Sequence, residues 1–410
     1  MTAEELDAAD PLARFHGRFV RGDGERIYLD GNSLGRLPAE TPERLGALVE
    51  EWGSRLVTAW EDWIDLPAAV GDLLARAALG AGPGEVVVSD STTVTLYKLA
   101  GAALADRTGA IVADAGDFPT DRYVLEGLAA AHGRELRLLE TDPVEGPTAA
   151  EVEEACGGET ALVCLSHVNY RSGALADMGA ITDAAHAAGA LVLWDESHAT
   201  GAVEVELERC GVDLAAGCTY KYLCGGPGAP AFAYVRAELQ ERLRSPIQGW
   251  FGQRDQFAMG PRYEPVEGIG RFLAGSPPVL ALAAVRVGAE LVEEAGIAAI
   301  RAKAAALTSY AVELFDEWLA PVGFSLGTPR DPSRRGAHVS VRHADGWQLC
   351  RALIERANVV PDFRGPDSIR LGFPPLSTSF AEVREGIARL RELVETGAYR
   401  EVAATPRRVT

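Results

Sequence analysis

LVLWD, at residues 191–195, and GCTYKYLCGGPG, at residues 217–228, set the architecture of this 410-residue chain. The first is a short apolar run ending in a carboxylate, the form of a strand buried on both faces. The second places Lys221 among glycines and aromatic residues, about 25 positions after Asp195. Working outward, apolar runs at 85–88, 110–113 and 161–165 repeat the pattern. They alternate with helical stretches at 68–80, 94–106 and 178–188, which predicts a mostly parallel sheet covered on both faces. Near residue 280 the rhythm changes. Residues 279–319 read as one or two long helices. After them come strands at 338–342, 358–361 and 368–371 and helices at 346–356 and 380–395. The expected division is therefore an N-terminal segment and large domain over 1–280, then a linking helix and small C-terminal α+β domain over 281–410. Residues 3–20 and 39–60 read as helices, and 403–410 as a frayed tail.

With 47% apolar and 24% charged residues, the chain has the make-up of a globular protein that can bury a sizeable core. Its formal net charge of -20 repels phosphate backbones, so nucleic acid is not an expected partner. None of the six cysteines forms a C-x-x-C pair or sits at metal-ligand spacing with a histidine, so no metal site is expected. They read as small buried hydrophobes in a reducing compartment. The acidic start MTAEELDAADPLARF lacks the basic and apolar regions of a signal peptide. No apolar stretch reaches the length of a membrane span, so the membrane is not an expected partner and the cytoplasm is the default location.

Ligands of an open parallel sheet sit beyond the carboxyl ends of its strands. Three polar clusters fall there. Ser89-Asp90-Ser91-Thr92-Thr93 opens a helix, where hydroxyls, free N–H groups and the helix dipole suit a phosphate, although plain capping has about even odds on this feature alone. Asp195, at a strand end, can keep a pyridine nitrogen protonated. Lys221 can form a Schiff base once it is partly desolvated. Any one of these has an ordinary structural reading. In this order, the three describe a site for pyridoxal 5'-phosphate (PLP).

Nearly the whole chain then resembles the kynureninase family, PLP hydrolases of fold type I. The matching stretches are YLDGNSLG at 28–35, FPTD at 118–121, LSHVNYRSG at 165–173, WDESHATGA at 194–202, GCTYKYLCGGPGAPAF at 217–232, GWFG at 249–252 and FRGPDSIRLGFPPL at 363–376. The resemblance implies cleavage of the Cβ–Cγ bond of L-kynurenine or 3-hydroxy-L-kynurenine, giving (3-hydroxy)anthranilate and L-alanine. It makes Lys221 the cofactor lysine, Asp195 the partner of the ring nitrogen, and Tyr220 a proton donor. Thr92 and Thr93 meet the phosphate, with Ser91 as a helper. Phe118 stacks on the ring, and Asp121, Ser166, His198 and Trp250 complete the cofactor shell. Ser276 reaches the phosphate from the partner subunit of a homodimer. Arg370 clamps the substrate carboxylate, with Arg364 supporting it, and Trp63 and Ser377 face the aryl group. Four departures stand out: a shortened loop WEDWIDL at 60–66, Ser377 in place of a tyrosine, Cys224 in place of an asparagine, and Glu196 in place of an apolar residue. The first two motivate an alternative expectation, a related PLP enzyme acting on another γ-oxo or β-substituted amino acid.

Overall fold

The computed structural model describes residues 1–22, 26–157 and 159–403; the expected frayed tail lies outside the described residues from 404 onward. The strands in chain order are β1 (Ile27–Tyr28), β2 (Val86–Ser89), β3 (Ala110–Asp114), β4 (Leu136–Leu139), β5 (Thr160–Ser166), β6 (Leu191–Asp195), β7 (Leu214–Gly217), β8 (Ala231–Val235), β9 (Ser325–Leu326), β10 (His338–Arg342), β11 (Val359–Val360), β12 (Asp362–Arg364) and β13 (Ser368–Gly372). A seven-stranded sheet runs β2-β8-β7-β6-β5-β3-β4. Only β8 is antiparallel to its neighbours. Every residue of β3, β5 and β6 is buried, which is why their sequences are continuous apolar runs rather than alternating ones. Separate apolar cores form on the two faces of this sheet, one around Trp194, Val163 and Tyr234, the other around Leu162, Leu193 and Leu99.

The C-terminal unit is the antiparallel sheet β12-β13-β10-β9, backed by helices Gly346–Arg356 and Phe380–Thr396. Its core also takes Ala3, Ile27 and Leu29, and β1 pairs with β11. The N-terminal segment thus divides, with Ala3, Ile27 and Leu29 packed in the C-terminal core and Leu12, Phe15 and Phe19 in a core of the large sheet, where sequence order grouped it all with the large sheet. Strand pairing across the whole chain length is invisible to local periodicity.

The expected 3–20 helix is broken. Helix Ala3–Ala9 starts on a Thr2–Glu5 capping box and stops before Pro11, and a 3-10 segment Ala13–Arg18 follows. Asp10, at the break, pairs with the buried Lys303 at 2.6 Å. The expected 279–319 run divides at Gly296 (φ 78°) into helices Val279–Ala295 and Ile297–Leu314. Strands β4, β7 and β8 were not expected from the sequence. β4 is largely half-buried, β7 is the short alanine-glycine run LAAG, and β8 is the short run AFAYV that follows the Lys221 segment.

Two glycines let backbone approach that segment from opposite sides. A Cβ on Gly288 would lie 1.6 Å from the Leu223 carbonyl oxygen, and one on Gly35 would lie 2.2 Å from that of Lys221. The Gly35 N–H donates to the Tyr220 carbonyl at 2.8 Å. Gly288→Ala is expected to cost about 1–3 kcal/mol by overpacking, whatever alanine adds in helix propensity. Thermal unfolding read against the wild type checks this, and an unchanged melting temperature would contradict the close packing.

Candidate functional site

Beyond the carboxyl ends of β2, β3, β5 and β6 lies a cavity of about 300 Å³. Helix Thr92–Leu104 points its N-terminus at it. Ser91 caps this helix by accepting from the Val94 N–H at 3.4 Å, and Ser91, Thr92 and Thr93 line the cavity. The loop that leads in is fixed from below. Lys98, fully buried, donates to Asp90 and to the Phe272 carbonyl, each at 2.5 Å. Asp90 itself sits at φ 57°. A charged strut therefore holds the start of an anion-binding helix.

Lys221 lies at the opposite wall, its Nζ 3.2 Å from His198 Nδ1. Burial drives the Lys221 ammonium below the usual lysine range, with Arg370 adding to the effect and Asp195 opposing it. Burial, then Lys221 and Arg370, hold His198 well below its ordinary value. The amine at this position is consequently nucleophilic at a lower pH than a surface lysine. Tyr220 precedes it, and burial keeps its phenol protonated through a raised pKa.

Asp195 ends β6 and accepts from the Ser197 N–H at 2.9 Å. Beside it, Asp121 is 4% exposed and its Oδ2 has no partner among the described residues. Burial and the facing Asp195 raise the Asp121 carboxyl well above the carboxylate range. Behind them, burial and Asp114 push Asp117 up to about 8. A buried, crowded group of acids with an orphaned oxygen is incomplete without a cationic donor. The ring nitrogen of PLP is such a donor, the helix start suits its phosphate, and Lys221 suits its aldehyde. Phe118, edge-on to Tyr170 at 5.3 Å, adds an aromatic wall. The residues present fit this cofactor.

Of the residues singled out from the sequence, Thr92, Thr93, Phe118, Asp121, Asp195, His198, Tyr220, Lys221 and Arg370 line this one cavity. Five do not. Ser166 pairs in register with Asp195, is 6% exposed, and gives its N–H to Asp117 at 3.3 Å. Trp250 is 42% exposed on a 3-10 turn, packed against Phe251 and Phe257. Ser276 is exposed on the segment before helix Val279–Ala295. Trp63 is buried, donates to Glu51 at 3.1 Å, and lines a separate apolar groove with Trp52, Trp60 and residues 277–281. Ser377 is 1% exposed, and its carbonyl accepts from Arg21. Sequence reasoning gave no role to Asn32, Ser33, Thr120, Tyr170 or Ser197, which also line the cavity. All five fall inside the quoted motif stretches, so the signal was present but did not rank residues within a motif.

Two departures acquire a physical description. Glu196 is fully buried and its Oε2 lies 2.9 Å from His167 Nδ1, so a buried polar pair stands where an apolar side chain was the common choice. Cys224 has φ 54°, a left-handed conformation that asparagine adopts more readily than cysteine. Its Sγ packs where Gly35 leaves room.

Comparison with known proteins is consistent along the whole chain. A family profile described as "Kynureninase C-terminal domain" matches residues 300–390. The kynureninase of Pseudomonas fluorescens is 42% identical over 401 residues, covering 95% of this chain and 94% of that one. The kynureninase of Burkholderia pseudomallei (strain K96243) is 41% identical over 406 residues, covering 96% and 95%. Among solved structures, the apo cysteine desulfurase of Thermococcus onnurineus NA1 superposes with a TM-score of 0.78 at 19% identity, over 96% of this chain and 98% of that one. A variant of C-DES with glycine covalently linked to its PLP cofactor gives 0.80 at 19% identity, over 92% and 99%. At such identity these two share the fold.

Covalent capture of the cofactor is expected to accelerate as pH rises through the lowered Lys221 pKa, because only the free amine attacks the aldehyde. It should level off below 10.5, the ordinary lysine value. Stopped-flow absorbance of cofactor-free protein mixed with PLP across pH reads this. Lys221→Ala should show no borohydride-reducible adduct by mass spectrometry.

Proposed function

The chain belongs to the kynureninase family, and we propose that the cavity at Lys221 is where it cleaves the Cβ–Cγ bond of L-kynurenine or 3-hydroxy-L-kynurenine with water, giving (3-hydroxy)anthranilate and L-alanine. It is a PLP-dependent hydrolase of fold type I. The observation that carries the site assignment is the meeting, in one cavity, of the helix start at Thr92, the half-buried Lys221, the Asp195–Asp121 pair and Arg370.

PLP, when bound, supplies the electron sink that stabilises negative charge on the substrate carbons next to the reacting bond. The chain's own residues do the rest. Thr92 and Thr93, with Ser91, hold the phosphate by hydroxyls and the helix dipole. Asp195 keeps the ring nitrogen protonated, while Asp121 carries its own proton beside it. Phe118 covers a face of the ring. Arg370 holds the substrate α-carboxylate. Lys221, whose amine is already low in pKa, would be the base that takes the Cα proton at Nζ. Water adds to the γ-carbonyl, and collapse of the hydrate breaks the Cβ–Cγ bond. Tyr220, kept as a neutral phenol, gives its hydroxyl proton to the side-chain fragment that becomes alanine.

A homodimer completes the site. Ser276 and Trp250 lie away from their own cavity on exposed segments, which suits residues that serve a partner's cavity. The groove of Trp52, Trp60, Trp63 and Leu280 lies next to Ser276 in sequence and leaves Trp52 56% and Leu280 41% exposed. Such an apolar surface suits burial against a second copy. Among the described residues, no helix is long and apolar enough to cross a membrane. The six cysteines are free, which supports a cytoplasmic location. The substrate places the chain in tryptophan catabolism.

Incubation of the PLP-loaded protein with each substrate is expected to give alanine and the aromatic acid in equal amounts. A cofactor spectrum that shifts with substrate while no aromatic acid forms would refute the hydrolase reading. Light scattering is expected to report twice the 43.5 kDa chain mass. Trp52→Glu is expected to lower both that mass and the activity; a monomer that turns over at full rate would refute the shared site.

A further inference from the structure

Arg370 is 1% exposed, yet its guanidinium is held by groups other than a substrate. Nη2 pairs with Asp362 Oδ2 and donates to Ser33 Oγ at 3.1 Å, and Nη1 donates to the Tyr170 carbonyl. Its buried Nε has no partner among the described residues. Asp362 faces Arg370 directly across the β12–β13 ladder and is itself 2% exposed at the side chain. Its other oxygen, Oδ1, accepts from Arg364 Nη1 at 2.7 Å. Arg364 also lines the cavity and, at 32% side-chain exposure, is the more open of the two cations. One carboxylate thus bridges two guanidiniums on one edge of the cavity that holds Lys221.

We propose that Arg364 is a second cation for the substrate α-carboxylate, and that Asp362 is the positioning residue that turns Arg364 and Arg370 toward the same anion. Two guanidiniums and one carboxylate leave a single positive charge, which one further carboxylate neutralises. The nearby Asp30 leaves this balance intact below neutral pH, since burial and Asp362 push its carboxyl up to about 7. Arg370, fixed by Asp362, Ser33 and the Tyr170 carbonyl, sets the direction of the grip. Among the described residues Arg364 is tied only to Asp362 and to the adjacent Phe363 carbonyl at 2.9 Å, which leaves its remaining N–H groups for the anion.

The proposal rests on the cavity being an amino-acid site, but not on the hydrolysis. Its test is binding to the PLP-loaded holoenzyme of two probes, L-alanine and ethylamine, which differ only by the carboxylate. Calorimetry and the cofactor absorbance both report it. Arg364→Gln is expected to weaken L-alanine about tenfold and leave ethylamine unchanged, the worth of one charge-assisted contact. KM for kynurenine should rise by a similar factor while kcat changes little. Asp362→Asn should lower the preference for L-alanine over ethylamine more than Arg364→Gln does, because both arginines lose their alignment, and Asp362→Glu should restore part of it. An Arg364→Gln protein that keeps wild-type affinity for L-alanine overturns the role of Arg364. An Asp362→Asn protein that melts earlier yet keeps the wild-type ratio of the two affinities overturns the positioning role. Wild-type protein that binds L-alanine without turning over kynurenine would sink the hydrolase and leave this inference standing. Wild-type protein that binds neither probe overturns both.

Discussion

An amine that must attack an aldehyde near neutral pH has to be withdrawn from water, and the fold holds Lys221 half-buried at the cavity wall. Desolvating an ammonium is costly, so the position persists only where the surrounding backbone is fixed by other interactions. Here the segment carrying Lys221 is pinched between helix Val279–Ala295, through Gly288, and the N-terminal strap, through Gly35. That strap in turn is anchored to the C-terminal unit by β1–β11 pairing and by the buried Asp10–Lys303 pair. Both folding units therefore bear on one side chain. The N-terminal segment accordingly packs on both units, through Leu12, Phe15 and Phe19 on the large-sheet core and through Ala3, Ile27 and Leu29 on the C-terminal core.

Much of this was legible in the sequence, for physical reasons that differ by element. Strands buried on both faces announce themselves as apolar runs, so β3, β5 and β6 were located to within a residue or two. β10 and helix Gly346–Arg356 were located to the residue. The clusters at Thr92, Asp195 and Lys221 follow from the rule that a parallel sheet presents its ligands at one edge, and the cavity brings them together. What escaped was non-local. β7 (LAAG) and β8 (AFAYV) are short, alanine-containing strands whose identity comes from their neighbours in the sheet. The 3–20 helix failed because an amphipathic pattern persisted through Asp10-Pro11, where an ion pair to Lys303 replaces helical bonding. Trp63 and Trp250 line other surface grooves than the Lys221 cavity, because a motif places residues near a site without fixing which way each side chain faces.

The solved structures that superpose on nearly the whole chain include a cysteine desulfurase, while the relatives at about 41% identity are kynureninases. The two observations do not compete. A fold of this type supplies a dry lysine, a helix start for phosphate and a strand-end aspartate, and these serve many reactions on amino acids. The reaction is chosen by what surrounds them. A desulfurase needs a reactive thiol presented on a mobile loop. In this chain Cys224 and Cys350 are buried, and burial pushes both thiols up to about 12. Neither meets that need.

Charge around Lys221 is distributed by side. Toward the sheet lie Asp114, Asp117, Asp121 and Asp195, crowded and largely desolvated. Toward the C-terminal unit lie Arg364 and Arg370, and neutral His198, 3.2 Å from Lys221 Nζ, has its ring tilted against that of neutral His338 at 5.7 Å. An amino acid entering this field has one favoured orientation, with its carboxylate to the arginines and its amine toward Lys221. A protonated pyridine ring has one favoured orientation as well, with its nitrogen to the acids. The acidic wall belongs to the large sheet and the basic wall to the small domain, so the field is complete only when the two units are packed together. Interdomain packing in this chain therefore sets the charge pattern of the cavity, and the strap at residues 30–35 touches both units, the Lys221 segment through Gly35 and the basic wall through Ser33.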